Sequence, residues 1–191
     1  MKVLKLAAAA LSLAAPFAMA QTSTWKSDAA HSDVEFVVKH LGISNVHGRL
    51  GKVNATITID DKDITKSSVN ATIDVADLDT GNSSRDNDIK GDNFFGVAKF
   101  PTATFVSTSV AKGGLGLLVT GDLTIKGVTK SVVLNVAGPG APITGMDKKP
   151  HVGFEATTTI HRTDFGVAAS MPAAVVSDDV AITIDLDAAK Q

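Results

Sequence analysis

The sequence predicts an all-β fold, an eight-stranded antiparallel barrel with one short helix inserted near the middle of the chain. Apolar and polar residues alternate through most of 34–75 and 102–186, as expected for strands with one buried face. Short turns join these runs, so the domain is either a closed barrel or a two-sheet sandwich. The non-alternating segment 83–95 favours the barrel, because a short helix between two runs of strands can cover an open end. The interior of such a barrel has room for side chains or one small ligand.

Residues 1–20 have the pattern of a cleaved secretory signal peptide. Lys2 and Lys5 precede a short apolar run, and Ala18-Met19-Ala20 matches the usual cleavage pattern of small residues. The apolar run is too short to span a bilayer. We therefore expect a mature domain of residues 21–191 in the periplasm, with no stable membrane insertion. A domain of this size can bury a core without disulfides.

Three strands are predicted before the helix. The first covers residues 34–38, and the third covers residues 69–75. Between them, one strand runs over residues 46–59, with a bend or bulge at Gly48 or Gly51, since glycine inside a strand often marks such a site. The expected inward residues of these strands include Val34, Phe36, Val38, Val53, Ala55, Ile57, Ile59, Val69, Ala71, Ile73 and Val75.

Segment 83–95 is predicted to begin with a helix of about two turns. Ser83 or Ser84 is the expected N-cap, Lys90 lies near the end, and Gly91 is the expected C-cap. So short a helix is unstable in water by itself and must dock on the rest of the protein. Phe94-Phe95 follows at once in a chain with few aromatic residues, which suggests a cover for the barrel mouth. The alternative is an ordinary connection with a small hydrophobic cluster.

Five further strands are predicted after Pro101. They cover residues 102–110, 115–125, 128–136, 152–160 and 180–186. The longest loop, 138–150, is rich in Pro and Gly, and residues 163–178 are expected to be irregular.

The composition excludes several classes of function. The net charge of −2 gives no reason to expect nucleic acid as a partner. The absence of Cys excludes disulfides and thiolate metal sites. The sequence contains no P-loop, dinucleotide fingerprint or G-x-S-x-G motif. We therefore predict no catalytic residue and no cofactor beyond a bound lipid.

The chain contains a series of short motifs in a specific order. These are Trp25, Asp28, His31-Ser32, Phe36, His40, Gly48, Arg85-Asp86, Phe94-Phe95, Phe100-Pro101, Phe105, Gly121–Thr124, Gly127–Lys130, Arg162 and Asp164–Gly166. In order and spacing they resemble the YceI-like family of polyisoprenoid-binding, lipocalin-like periplasmic proteins, across the whole mature chain. The resemblance implies a lipocalin-like barrel with a long apolar lumen, an isoprenoid lipid as ligand, of polyprenyl or quinone type, and a homodimer.

Side chains that point into such a lumen are the candidate ligand-binding residues. They are Phe36, Val38, Ile57, Ile73, Phe94, Phe95, Phe105, Leu117, Val119, Phe154, Ile160 and Phe165. The alternative is ordinary core packing, in which the same residues fill the barrel and no ligand is bound. In a barrel that holds a ligand, the core and the binding site are one surface.

Two pairs of charged residues are the candidate polar clamps. Arg85 with Asp86, and Arg162 with Asp164, can lock loops together through hydrogen bonds from the guanidinium group. The main alternative is contact with the head group of a ligand, and a further one is an acid–base set of the kind that serves glycoside hydrolysis.

Three histidines lie close together in the sequence. His31, His40 and His47 could bind zinc, but their spacing matches neither H-x-x-x-H on a helix nor H-x-H on a strand. We expect structural hydrogen bonds and no metal site.

The preferred hypothesis is a soluble exported carrier or binder of a long isoprenoid lipid. The second is an enzyme that acts on a small apolar substrate in the same pocket, which would need a pocket acid or base with a shifted pKa. The third is a membrane barrel with outward apolar faces. The modest strand count and the polar C-terminus of residues 187–191 argue against the third.

Overall fold

The computed structural model describes residues 21–114 and 116–191. The predicted signal peptide and Leu115, the first residue of a predicted strand, lie outside these ranges. The strands of the described part are β1 (Thr22–Ser27), β2 (Asp33–His40), β3 (Ser44–Arg49), β4 (Lys52–Asp60), β5 (Ser68–Asp74), β6 (Thr102–Gly113), β7 (Gly116–Ile125), β8 (Val128–Ala137), β9 (Ile143–Thr144), β10 (Pro150–His161) and β11 (Asp179–Lys190). Helix α1 spans Ser83–Lys90, and short 3₁₀ turns cover Ile64–Lys66, Val75–Asp77 and Arg162–Phe165.

The strands close into an antiparallel barrel with eight positions. Strands β1 and β2 lie end to end along the same edge of β11. Their partners β4 and β3 likewise lie end to end, with β4 on β1 and β3 on β2. From β4 the order continues through β5, β6, β7, β8 and β10, and the pairing of β10 with β11 closes the circle. The predicted eight-stranded antiparallel barrel is confirmed.

The predicted alternation sets the inward face of each strand. On β7, for example, Leu117, Val119, Leu123 and Ile125 are buried, whereas Asp122 between them is exposed. Their burial on one face follows from the two-residue period of a strand. The bend predicted at Gly48 or Gly51 corresponds to the break between β3 and β4, where Gly51 lies.

One end of the barrel is closed by an apolar cluster. Trp25 packs there with Ile57, Ile59, Val152 and Ala188. The indole Nε1 donates to the Ser23 hydroxyl at 2.9 Å, so this buried polar atom has a partner. Helix α1 lies at the other end of the barrel.

Helix α1 begins one residue earlier than expected and has a different cap. The side chain of Asn82 accepts a hydrogen bond from the Arg85 amide at 3.1 Å, so Asn82 is the N-cap and the prediction of Ser83 or Ser84 was wrong. Asn is as good a cap as Ser, and its choice depends on the extended backbone at residue 82. The predicted C-cap, Gly91, is confirmed. None of the helices in the described residues has the length and apolar character needed to cross a membrane.

Candidate functional site

The barrel interior contains an apolar space near its middle, which we call the inner cavity. Its volume is about 130 Å³. Of its lining residues, all but Ser67, Ser68 and Thr158 are apolar. An apolar cavity of about 150 Å³ is known to stay dry and to bind benzene-sized molecules. The inner cavity therefore suits a hydrocarbon group and offers little to a polar one.

A larger space lies above it at the open end, and we call this the outer cavity. Its volume is about 1000 Å³, at the upper end of the roughly 300–1,000 Å³ usual for ligand pockets. Its walls are the end of β2, the start of β3, α1 with the segment after it, and the loop of residues 163–178. Phe94 and Phe95, which follow α1, are half-buried in its wall. The helical insertion thus covers the barrel mouth, as expected for a cover rather than a plain connection.

Three side chains separate the two cavities. Leu50, Ile125 and Ile182 line both of them and are buried. They come from the β3–β4 break, the end of β7 and the middle of β11. These side chains therefore form the boundary between the inner and the outer cavity.

Each of the twelve candidate ligand-binding residues lines one of the two cavities. Those of the inner cavity are Ile57, Ile73, Phe105, Leu117, Val119 and Phe154. Those of the outer cavity are Phe36, Val38, Phe94, Phe95, Ile160 and Phe165. Leu50, Ile125, Ile182, Ile184 and Leu186 also line the cavities but were not among the predicted ligand-binding residues. The alternation of apolar and polar residues along β7 and β11 would have identified all of them except Leu50, which lies outside any strand.

The helical insertion is tied to two other parts of the mouth. The amide of Ala168 donates to the Asn93 carbonyl at 2.7 Å. Lys126, in the turn between β7 and β8, donates through Nζ to the carbonyls of Asp92 at 2.7 Å and Gly166 at 3.0 Å. These bonds hold Phe94 and Phe95 in place over the outer cavity.

Arg162 organises the loop of residues 163–178. Its side chain is 4% exposed and donates five hydrogen bonds to backbone carbonyls. The acceptors are the carbonyl oxygens of Val167, Ala168, Met171, Val176 and Ser177. Asp164, which we expected to take part in this clamp, is exposed and accepts none of the five bonds. Backbone carbonyls replace the predicted carboxylate because the irregular loop offers many of them close to one guanidinium group.

Arg85 and Asp86 both bind Thr80 rather than each other. The Asp86 carboxylate accepts from the Thr80 amide at 2.9 Å and from its hydroxyl at 2.6 Å. Arg85 donates to the Thr80 hydroxyl at 2.8 Å and to its carbonyl at 2.7 Å. The pair therefore anchors the start of α1 to the chain before it. These contacts are structural.

The clearest shifts of pKa occur away from the cavities. The hydrogen bond to Asp187, at 2.6 Å, raises the pKa of His151, and the hydrogen bond to Asp28, at 2.7 Å, raises that of His31. Neither histidine lines a cavity. Of the other two histidines considered for zinc, His40 lines the outer cavity and His47 is exposed on β3. The described residues contain no cluster of three His, Asp or Glu side chains that could hold a metal ion.

The comparison with known families agrees with this architecture. The model of the YceI-like domain matches residues 25–188. The chain belongs to the YceI-like family. Protein YceI of Escherichia coli is 35% identical over 187 residues, which cover 96% of this chain and 95% of the relative.

Solved structures of similar proteins have the same fold. BcnA of Burkholderia cenocepacia is 31% identical, with a TM-score of 0.72 over 84% of this chain and 98% of its own. A domain of Saccharophagus degradans described as polyisoprenoid-binding has a TM-score of 0.64 over 90% of this chain and 100% of its own. At 18% identity, that second likeness shows the fold alone.

Proposed function

We propose that this protein is a soluble exported carrier or binder of a long isoprenoid lipid, of polyprenyl or quinone type, held in the barrel lumen. The observation that carries the proposal is the apolar inner cavity, which adjoins a larger outer cavity of mixed polar and apolar lining beneath a cover that contains Phe94 and Phe95. A prenyl tail has no hydrogen-bonding group, so enclosure by apolar side chains is what can hold it in water. Membership of the YceI-like family and the description of the Saccharophagus degradans domain support the choice of ligand.

The cavities are large enough to give useful affinity. Each buried carbon contributes about 0.8 kcal/mol, so one isoprene unit contributes roughly 3–4 kcal/mol before entropy costs. Micromolar binding requires about 8 kcal/mol, which a few buried units supply. The outer cavity takes the first units, and a longer tail passes Leu50, Ile125 and Ile182 to reach the inner cavity.

Export and assembly are further parts of the proposal. The signal-peptide pattern of residues 1–20 supports a periplasmic location with Gln21 as the mature N-terminus. The homodimer that the family resemblance implies remains a prediction.

The first prediction concerns a series of prenyl lipids with one head group and increasing tail length. Affinity is expected to rise roughly tenfold or more per isoprene unit until the cavities are full, because each unit adds buried apolar surface. Intrinsic fluorescence or displacement of a fluorescent prenyl probe measures the dissociation constants. Affinity that stays flat along the series, or a free head group that competes as well as the whole lipid, would show that the lumen is not the site. The enzyme hypothesis would then be preferred.

A matched pair of variants locates the tail. Val119→Phe fills part of the inner cavity, whereas Val133→Phe adds the same volume to a side chain that is 45% exposed. Val119→Phe should make the affinity level off at a shorter tail, and Val133→Phe should leave the series unchanged. Identical series for the two variants would confine the tail to the outer cavity.

The second prediction concerns the cover. Phe95→Ala should raise the dissociation rate of a long-tailed lipid by about tenfold, because the ring's contact with the ligand is lost and most affinity changes appear in the off-rate. Stopped-flow transfer to excess acceptor vesicles measures that rate. Phe100→Ala is the control, since Phe100 belongs to the same segment but lines neither cavity. Equal dissociation rates for wild type and Phe95→Ala would remove Phe95 from the cover.

A further inference from the structure

The mouth of the outer cavity has exposed apolar side chains on one side, which we call the apolar rim. It consists of Leu41 and Ile43 in the turn between β2 and β3, with the exposed Val175 and the half-buried Met171 from the loop beside it. Leu41 is 53% exposed and Ile43 is 82% exposed. Met171 and Val175 also line the outer cavity, as do His40 and Ser44 on either side of the turn. The apolar rim is therefore continuous with the cavity wall.

The conformation of the turn gives no structural reason for leucine at its tip. Leu41 has φ of +52° and Gly42 has φ of +70°. Turns with two positive φ values favour Asn-Gly, and the left-handed region strains the backbone of a leucine. An asparagine at position 41 would fit the turn better and would be hydrated. The exposed leucine therefore points to a contact outside the folded chain.

The apolar rim is held in a fixed shape. The Leu41 amide donates to the Val175 carbonyl at 2.9 Å, and the Ser177 amide donates to the Lys39 carbonyl at 2.9 Å. Arg162 binds the carbonyls of Met171 and Val176 from below. The turn and the loop thus present their apolar side chains together, and little conformational entropy is lost when they contact a surface.

The charges around the apolar rim are those that an anionic surface attracts. Residues 36–48 contain Lys39, His40 and His47 and no carboxylate, and residues 165–177 contain no charged side chain. Asp88 and Asp92, which line the outer cavity, lie in the helical insertion together with Arg85 and Lys90. Asp178 and Asp179, which follow the loop, are both paired with His161. The residues that flank Leu41 and Ile43 in the turn are thus basic or uncharged, which suits contact with an anionic lipid surface.

We propose that the apolar rim docks reversibly on a phospholipid bilayer, so that the outer cavity opens directly onto the membrane. This inference rests on the proposed function, because a lipid carrier has to exchange its ligand with a membrane. Leu41 and Ile43 enter the headgroup region while Lys39 contacts anionic lipid, and the ligand passes between bilayer and cavity without crossing water. A second protein is a poorer occupant, because so few exposed side chains cover far less than the roughly 800 Å² per partner of a standard interface.

The test uses the mature protein and vesicles of phosphatidylcholine with a minority of phosphatidylglycerol. The double variant Leu41→Asn/Ile43→Ser replaces the two exposed apolar side chains by polar ones that are compatible with the turn. The control Ile143→Ser/Met146→Ser removes two apolar groups that are on average even more exposed, from the segment between β8 and β10, at the closed end of the barrel. In vesicle flotation we expect the rim variant to bind about tenfold more weakly than wild type, because interfacial binding scales with the apolar area buried, and the control to bind normally. Absence of wild-type binding, or equal loss in both variants, would overturn the proposal.

Two further measurements separate this inference from the proposed function. The dissociation constant for a prenyl lipid in vesicle-free solution should be the same in wild type and in the rim variant. If neither binds lipid, the proposed function fails whatever the vesicle result. Sedimentation velocity gives the oligomeric state, and a wild-type dimer that the rim variant converts to monomer would assign the apolar rim to a protein interface and overturn membrane docking.

Discussion

Arg162→Ala is expected to lower the free energy of unfolding by about 4–5 kcal/mol, at the upper end of what single substitutions do. The guanidinium group is buried and donates to five carbonyls of the loop that contains residues 163–178. Hydrogen bonds to a charged group contribute about 1.5–3 kcal/mol each, but part of the loss is recovered as the loop opens to water. Since whole domains are stable by about 5–15 kcal/mol, this is a large fraction. Urea denaturation followed by circular dichroism measures it.

Two other variants show whether the stability loss in Arg162→Ala comes from the lost hydrogen-bond geometry or from the lost charge. Arg162→Lys keeps the charge, but an ammonium group has three donors and a smaller reach, so most of the loss should remain. Arg49→Ala removes an exposed partner of Asp33 and should cost less than about 1 kcal/mol. If Arg162→Ala were as mild as Arg49→Ala, Arg162 would not hold the loop. The loop contributes Phe165, Met171 and Val175 to the outer cavity, so we also expect weaker ligand retention in Arg162→Ala.

Gly51→Ala is expected to destabilise the barrel by about 3 kcal/mol or more, through backbone strain together with a steric clash. Gly51 lies at the break between β3 and β4 with φ of +140°. A Cβ atom there would lie 1.9 Å from the Asp74 carbonyl oxygen, which is backbone and cannot rotate away. The start of the β4–β5 pairing would have to open, and the neighbouring Leu50, which separates the two cavities, would move with it.

A second glycine with positive φ serves as a control that distinguishes backbone strain from the steric clash with the Asp74 carbonyl. Gly81 also has a positive φ, +73°, but a Cβ atom there would meet nothing within 4 Å. Gly81→Ala should therefore cost only about 1–2 kcal/mol of strain. For a chain of this size, 1 kcal/mol corresponds to roughly 2–4 °C in Tm, so Gly51→Ala should lower Tm by about 6–12 °C. Thermal unfolding of both variants measures the difference, and equal shifts would exclude the clash with Asp74.

Several parts of the candidate site follow from the sequence because they depend on local rules. The alternation of Leu117, Val119, Leu123 and Ile125 with polar residues determines which face of β7 points inward, and a shift of one residue would reverse it. The short helix before Phe94 and Phe95 has too little stability to stand alone, so its docking on the barrel also follows. The N-cap was misplaced because Asn82, Ser83 and Ser84 are all good caps, and backbone geometry chooses between them.

By itself, then, the sequence determined the all-β class, the inward faces, the helical insertion and the apolar character of the lumen, since each arises from residues near one another in the chain. Only the tertiary structure decided that Leu50, Ile125 and Ile182 divide the lumen into two cavities, because they come from distant segments. Only the tertiary structure decided the partners of Arg162 as well. Backbone carbonyls are the same for every residue, so no side-chain pattern marks which of them will converge on one guanidinium group. The apolar rim also depends on the fold, because Leu41 and Val175 are brought together by the pairing of β2 with β11.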